Sequence, residues 1–211
     1  MSGVPRLEKS QPRTLTAASF TDAAVALSRA FHDDPMSIYM VADAATRADV
    51  LPLHMTVALR MGQLFGEVYV SGDPPVGAAV WFPPHLWELT AAQLAEAGAQ
   101  ELERALPAGA FARFMAIEQF GEQLHRRDAA FPHWYLAVLG VEPAMQGRGL
   151  GGALMRPVLE KADRQGLPCY LETAVEENVP FYRSHGFDVV VDGEVPGTAL
   201  RFWTMLRGPR N

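Results

Sequence analysis

Seven residues constrain this chain more than any others: Gln146 to Gly152, which read Gln-Gly-Arg-Gly-Leu-Gly-Gly. An apolar, strand-like run precedes them and an amphipathic helical pattern follows. The glycines leave successive backbone N–H groups uncovered by Cβ atoms, and the helix adds the positive end of its dipole. Such a loop holds a pyrophosphate, so the chain must fold around a strand, this loop and a helix.

Two glycine templates fit the loop. Gly147, Gly149 and Gly152 satisfy Gly-x-Gly-x-x-Gly, and Glu172 falls twenty residues after Gly152, where a dinucleotide fold carries its ribose-binding acid. Gln146, Gly149 and Gly151 equally satisfy Gln-x-x-Gly-x-Gly. The flanks separate the two. In a dinucleotide fold the strand runs almost directly into the first glycine. Here the run from Trp134 to Val141 ends at Glu142-Pro143, with Ala144, Met145 and Gln146 intervening. The roughly sixty residues after the loop are also too few for the rest of a doubly wound domain. No Lys-Ser or Lys-Thr pair follows the glycines, which excludes a Walker loop.

Composition narrows the class further. With 49% hydrophobic and 20% charged residues, the chain is an ordinary globular protein. Its net charge of −6 and lack of a basic run argue against nucleic-acid binding. Cys169 is the only cysteine, which leaves no intramolecular disulfide and no all-cysteine metal site. The histidines show no His-x-x-x-His or His-Glu-x-x-His pairing, so no metal is expected. No apolar run approaches the roughly twenty residues that span a bilayer, and the N-terminus lacks a signal-peptide core. The expectation is a cytoplasmic protein without membrane or nucleic-acid partners, monomeric or homodimeric.

Along the chain, residues 1–11 read as a flexible arm and residues 12–211 as one domain. A short strand at 13–16 precedes a helix opened by Thr21-Asp22 and ended by Asp33-Asp34-Pro35, with Ala24, Val25, Leu27 and Phe31 as its apolar stripe. A second helix runs from Thr46 to Met61, bent or started near Pro52. Glu67–Ser71 and Val76–Phe82 form a hairpin. Two helical patterns fill 90–128, divided at Pro107-Ala108-Gly109. The strand at 133–141, the glycine loop and a helix at 149–165 follow, the helix disturbed by Pro157. Strand 169–174, a helix from Asn178 to about His185, strand 187–192 and a final strand 199–206 complete a mixed α/β sheet.

Residues 134–187 resemble the GNAT acetyltransferase superfamily in four successive elements. These are the strand ending in Val-x-Pro, the loop Gln146–Gly152, the strand at 170–174, and Asn178 with Phe181-Tyr182 and His185-Gly186-Phe187. The likeness is nearest to the puromycin N-acetyltransferase branch, through Pro157, Leu171-Glu172-Thr173, Asn178 to Arg183, Gly77 to Trp81 and Phe31 to Pro35. It implies an α/β fold with a mixed, mostly antiparallel central sheet, flanked by helices, whose central strand splays from its neighbour. Acetyl-CoA would be the co-substrate, held by a core at about 133–192, with helices at about 20–61 and 88–128 shaping the acceptor side. Leu139, Gly140 and Val141 would pair with its pantetheine arm. Gln146, Gly147, Arg148, Gly149, Leu150, Gly151 and Gly152 would hold its pyrophosphate, with Asn178 near the arm and Tyr182 near the thioester sulfur.

Acetyl transfer to an amine needs a neutral amine, a polarised carbonyl and a proton for the departing thiolate. Tyr182 is the candidate acid, the alternative being that it packs beside Phe181 and Phe187. Glu172 is the first candidate base; it is equally readable as a polar residue satisfied by a neighbour. Glu118, Glu122 and His125 form an i, i+4, i+7 line that is either an acid–base wall or a solvated helix face. Trp81 and His85, with Phe82 and Trp87 nearby, would line a pocket for an amphipathic amine or belong to the core. The reading is direct acetyl transfer to a small-molecule amine. The alternatives are a protein or peptide amine, or a sensor that binds acetyl-CoA or acyl-CoA without turnover.

Overall fold

A computed structural model describes residues 11–86 and 88–210. The expected arm therefore lies outside the described residues except for Gln11, and so does Trp87.

Strand β1 (Arg13–Thr14) leads through a 3-10 turn into helix α1 (Phe20–Ala30), with Asp22 in its first turn and Arg29 in its last, both matched to the helix dipole. Asp34 then accepts from the Met36 N–H and Pro35 takes the first helical position, which starts α2 (Pro35–Met40). The sequence reading saw only a terminator there. The same three residues end one helix and open the next. Asp43 caps α3 (Ala44–Phe65), which carries Pro52 inside one continuous helix.

Strands β2 (Glu67–Ser71) and β3 (Gly77–Phe82) form the expected hairpin. Residues 90–128 hold three helices rather than two: α4 (Ala91–Ala97), α5 (Ala99–Ala105) and α6 (Ala110–Asp128). The unforeseen break falls at Gly98, whose φ of 100° no ordinary residue adopts cheaply. Strand β4 (Trp134–Val141), helix α7 (Leu150–Gln165, continuous through Pro157), strand β5 (Cys169–Thr173), helix α8 (Asn178–Ser184) and strands β6 (Asp188–Glu194) and β7 (Arg201–Arg207) complete the chain.

The seven strands form one sheet in the order β1-β2-β3-β4-β5-β7-β6. Every pairing is antiparallel except β4 with β5, whose crossover is α7. That parallel pairing covers only Trp134–Leu136 against Cys169–Leu171. Beyond it β4 continues to Val141 beside β3 alone, and a bulge at Ala137 turns it away from β5. The expected splay is thus present, and Ala137 to Leu139 are half-buried along it.

Each face of the sheet carries its own core. Leu27, Leu51, Leu59, Val80 and Phe82 pack under α1 and α3 on one face. Leu154, Met155, Val158, Trp81 and Leu171 pack under α7 on the other. Val25, expected in the stripe of α1, is exposed because it falls on the outer side of that helix. A smaller cluster joins Ile117 and Leu124 of α6 to Phe202 and Ala174, so α6 covers β5 and β7.

Candidate active site

The edge of β4 left open by the splay meets the glycine loop at its C-terminal end. Gln146 donates its side-chain N–H to the carbonyl of Val141 at 3.1 Å and fastens the loop to the strand. The glycines divide into two kinds. Gly147 and Gly149 have φ of 72° and 78°, and a Cβ on either would meet nothing. They steer the chain into α7, where Gly149 is the N-cap and the N–H groups of Leu150, Gly151 and Gly152 form the first turn. Gly151 and Gly152 instead admit α8. A Cβ on Gly151 would lie 3.1 Å from the ring of Phe181, and one on Gly152 would collide with His185. Arg148 is exposed and donates to the Ala144 carbonyl at 3.4 Å. Asn178 opens α8 half-buried.

Tyr182, also on α8, is 6% exposed, with its ring edge-on to Phe181 and Phe187 at 5.2 and 6.0 Å. Burial raises its hydroxyl well above the usual phenol range, and the negative charge of Asp34 adds to that. The phenol therefore keeps its proton at neutral pH. Two arginines hold the segment that bears Asp34. Arg47, 4% exposed, donates to the carbonyls of His32, Val41 and Ala42, and Arg113 of α6 donates to those of Tyr39 and Met40.

Across the splay, β5 presents Tyr170 and Glu172 to α6, since residues two apart on a strand share a face. The Glu172 carboxyl accepts from Tyr170 at 3.2 Å and from Tyr135 of β4 at 3.3 Å. Gly121 makes room for it: a Cβ there would stand 3.1 Å from Oε2. Burial pushes Glu172 up to about 8, and the charge of Glu118 assists, against the two tyrosine hydroxyls that favour the anion. Glu118 is raised to about 7, first by desolvation and then by Glu122. Its side chain nevertheless reaches solvent. Glu118 thus stands near enough to Glu172 for its charge to act on that carboxyl.

His125 completes the cluster. It stacks on Tyr170 with 4.1 Å between centroids, its Nε2 lies 2.6 Å from Nε2 of His133, and its Nδ1 lies 4.0 Å from Glu172 Oε1. Sequence reasoning had Glu172, Glu118 and His125 but missed Tyr135, Tyr170, His133 and Asp34. The available signal was the two-residue spacing of Tyr170 and Glu172.

Three expected acceptor residues lie elsewhere. Glu122 points outward and is bound by Arg126, which also holds Glu88, each at 2.5 Å. Trp81 is fully buried under α7, because alternation along β3 sends Val80 and Phe82, not Trp81, to the face under α1 and α3. Phe82 instead stacks with Tyr135 at 6.3 Å. His85 is exposed at an outer hollow of about 300 Å³ with Glu88, Leu89 and Thr90. Among the described residues no cluster of three or more His, Cys, Asp or Glu is set to hold a metal, and no helix is long and apolar enough to cross a membrane.

The structure thus combines a split parallel strand pair, a glycine-rich helix start at its end and the buried phenol of Tyr182 on α8. The model of the acetyltransferase (GNAT) family matches residues 109–187. An uncharacterized N-acetyltransferase of Schizosaccharomyces pombe is 25% identical over 182 residues, 83% of this chain and 73% of that protein. Among solved structures, one described as histone acetyltransferase HPA2 and related acetyltransferase from Corynebacterium glutamicum has the same fold. Its TM-score is 0.69 at 20% identity, over 97% of this chain and 98% of that one. Arylalkylamine N-acetyltransferase 2 from Aedes aegypti gives 0.58 at 13% identity, over 95% and 99%. Together these findings support an acyltransferase enzyme with N-acetyltransferase relatives; enzymes of the matched GNAT family take acetyl-CoA as co-substrate and amines as acceptors.

Proposed function

We propose that this chain, acting from residue 12 as a single domain, transfers acetyl directly from acetyl-CoA to the primary amine of a small molecule. The observation that carries the reading is the Glu172 carboxyl, held by two tyrosines where β4 and β5 separate and tuned close to neutral pH. A base with that affinity for protons both takes a proton from an ammonium and is regenerated readily.

In this reading the open edge of β4 at Leu139, Gly140 and Val141 holds the pantetheine arm, and Asn178 contacts it. The amides at the start of α7, with Arg148, hold the pyrophosphate. Glu172 takes a proton from the acceptor ammonium, the nitrogen bonds to the thioester carbonyl carbon, and the carbon–sulfur bond breaks. Tyr182 gives its proton to the departing sulfur. Of the two protons the nitrogen sheds, one leaves through Glu172 and the other replaces the one given by Tyr182. Cys169, buried and pushed up to about 12, is no nucleophile at neutral pH, which favours direct transfer. Glu118 near Glu172 and Phe82 with Tyr135 beside it suit an amine on an apolar or aromatic body, as acceptors of the puromycin N-acetyltransferase kind would offer. The Aedes aegypti neighbour, named for arylalkylamines, points the same way.

The test is a thiol-release assay over a panel of small primary amines. Tyr182→Phe should lose about 10²-fold or more in kcat with acetyl-CoA affinity kept, the scale of a positioned general acid. An unchanged kcat would remove Tyr182 from that role.

A further inference from the structure

His54 of α3 has no part in the chemistry above. It is half-buried, and its ring sits edge-on to Phe114 of α6 with 5.2 Å between centroids. Its Nδ1 is buried and has no hydrogen-bond partner among the described residues. Burial lowers its proton affinity to about 4, so near pH 7 the ring is neutral and carries one N–H and one lone pair. An orphaned ring nitrogen costs stability, and a residue that only packs against Phe114 needs no nitrogen at all. The ring has a hydrogen bond to offer that the surrounding chain does not take up.

Helix α6 fixes where His54 stands relative to Glu172. Phe114, Glu118 and Gly121 recur at i, i+4 and i+7, so they share one stripe of that helix. At one end of the stripe Phe114 touches His54. At the other, a Cβ on Gly121 would stand 3.1 Å from Glu172 Oε2. Seven residues of helix separate the two ends by about 10 Å. Glu118, between them, is exposed, so solvent reaches the stripe midway. Phe114 and Tyr135 pack against the same core face, and Tyr135 itself donates to Glu172, so both ends lie on one side of the sheet. We propose that His54 is a specificity-determining residue of the acceptor site, hydrogen-bonding an uncharged hydroxyl carried about 10 Å from the amine that meets Glu172. A hydroxyl both donates and accepts, so it satisfies either tautomer of the ring. The acceptor class is then an elongated amino alcohol or aminoalkyl phenol, its apolar body lying along Phe114 and Tyr135.

This inference rests on the reading of a small amine placed at Glu172, and its test separates the two claims. A ladder of straight-chain primary amines is assayed by thiol release, each against its ω-hydroxy derivative, with wild type and with His54→Phe. The variant keeps a ring beside Phe114 and removes the nitrogens. In wild type the hydroxyl should raise kcat/KM about fivefold, the scale of one neutral hydrogen bond. That gain should peak where the hydroxyl lies about 10 Å from the amine nitrogen. In His54→Phe the peak should vanish through a higher KM for the hydroxylated amine, with acetyl-CoA affinity kept. The melting temperature of the variant should match or exceed that of wild type, because an orphaned nitrogen is gone. A flat ladder in wild type, or the same peak in His54→Phe, would overturn the proposal. Equal slowing of both members of every pair, with a lower melting temperature, would make His54 a packing residue and overturn it as well. Acetylation of no amine in the ladder would contradict the small-amine reading itself, and the inference would fall with it.

Discussion

At the scale of single residues, Glu172 explains most and is the easiest to test. With its proton affinity at about 8, about a tenth of it is ionised at pH 7. The kcat/KM for the amine should therefore rise with an ionisation near pH 8. Glu172→Gln should lack that ionisation and run about 10²-fold or more slower, as read from initial rates across pH 6 to 10. The same shift has a consequence for stability. Between its ordinary 4.5 and about 8, the folded state binds more protons at this site than the unfolded chain does, so stability falls as pH rises through that window. Glu172→Gln removes this slope. Its melting temperature relative to wild type should be higher at pH 8.5 than at pH 5, and a constant difference would show that the carboxyl is not perturbed. Gly152 illustrates a different residue-scale fact. Its missing Cβ makes room for His185, the C-cap of α8, so the glycine run serves helix packing as well as its proposed anion binding.

At the scale of elements, α6 shapes the proposed acceptor side. It lies over β5 closely enough that a Cβ on Gly121 would stand 3.1 Å from Glu172 Oε2 and 3.3 Å from the ring of Phe202. Gly121→Ala should push the carboxyl by a few tenths of an ångström and lower kcat several-fold. That is less than the roughly 10²-fold of a full 1 Å misplacement. Acetyl-CoA affinity, measured by calorimetry, should not change, because the loop and α7 lie across the sheet. Elements carrying a strong local pattern were legible in the sequence: the hairpin with its turn, the glycine loop with α7, and α8 with its Phe-Tyr pair. Helix α2 was not, because Asp34 and Pro35 signal an end and a beginning with the same residues. The break at Gly98 was hidden inside a polar helical stretch, where one glycine does not disclose a left-handed turn. Trp81 was misplaced by a single step in strand parity. Whether Trp81 or Phe82 faces the acceptor depends on the pairing of β3 with β4, which is non-local.

At the scale of the whole molecule, the sheet divides the work. The splay of β4 from β5 leads to the glycine loop at one end, and in the proposed function the acceptor lies under α6. The proposed cofactor half is contiguous from Trp134 to Phe187, so a sequence pattern could suggest it. The acceptor half is assembled from the α1–α2 connection, α6, β4 and β5. No spacing pattern joins Glu118, Tyr135 and Glu172, and only the folded sheet brings them near one another. The hydroxyls on Glu172 therefore belong to topology, whereas the phenol of Tyr182 sits in a local motif. The most direct test of acetyl transfer to a small amine is mass spectrometry of purified protein incubated with acetyl-CoA and a mixture of arylalkylamines, diamines, aminonucleosides and a short peptide. The account predicts a small amine heavier by one acetyl group, formed in equal amount with free CoA and nearly absent with Glu172→Gln. Acetylation confined to the peptide, or no product while acetyl-CoA binds, would contradict it.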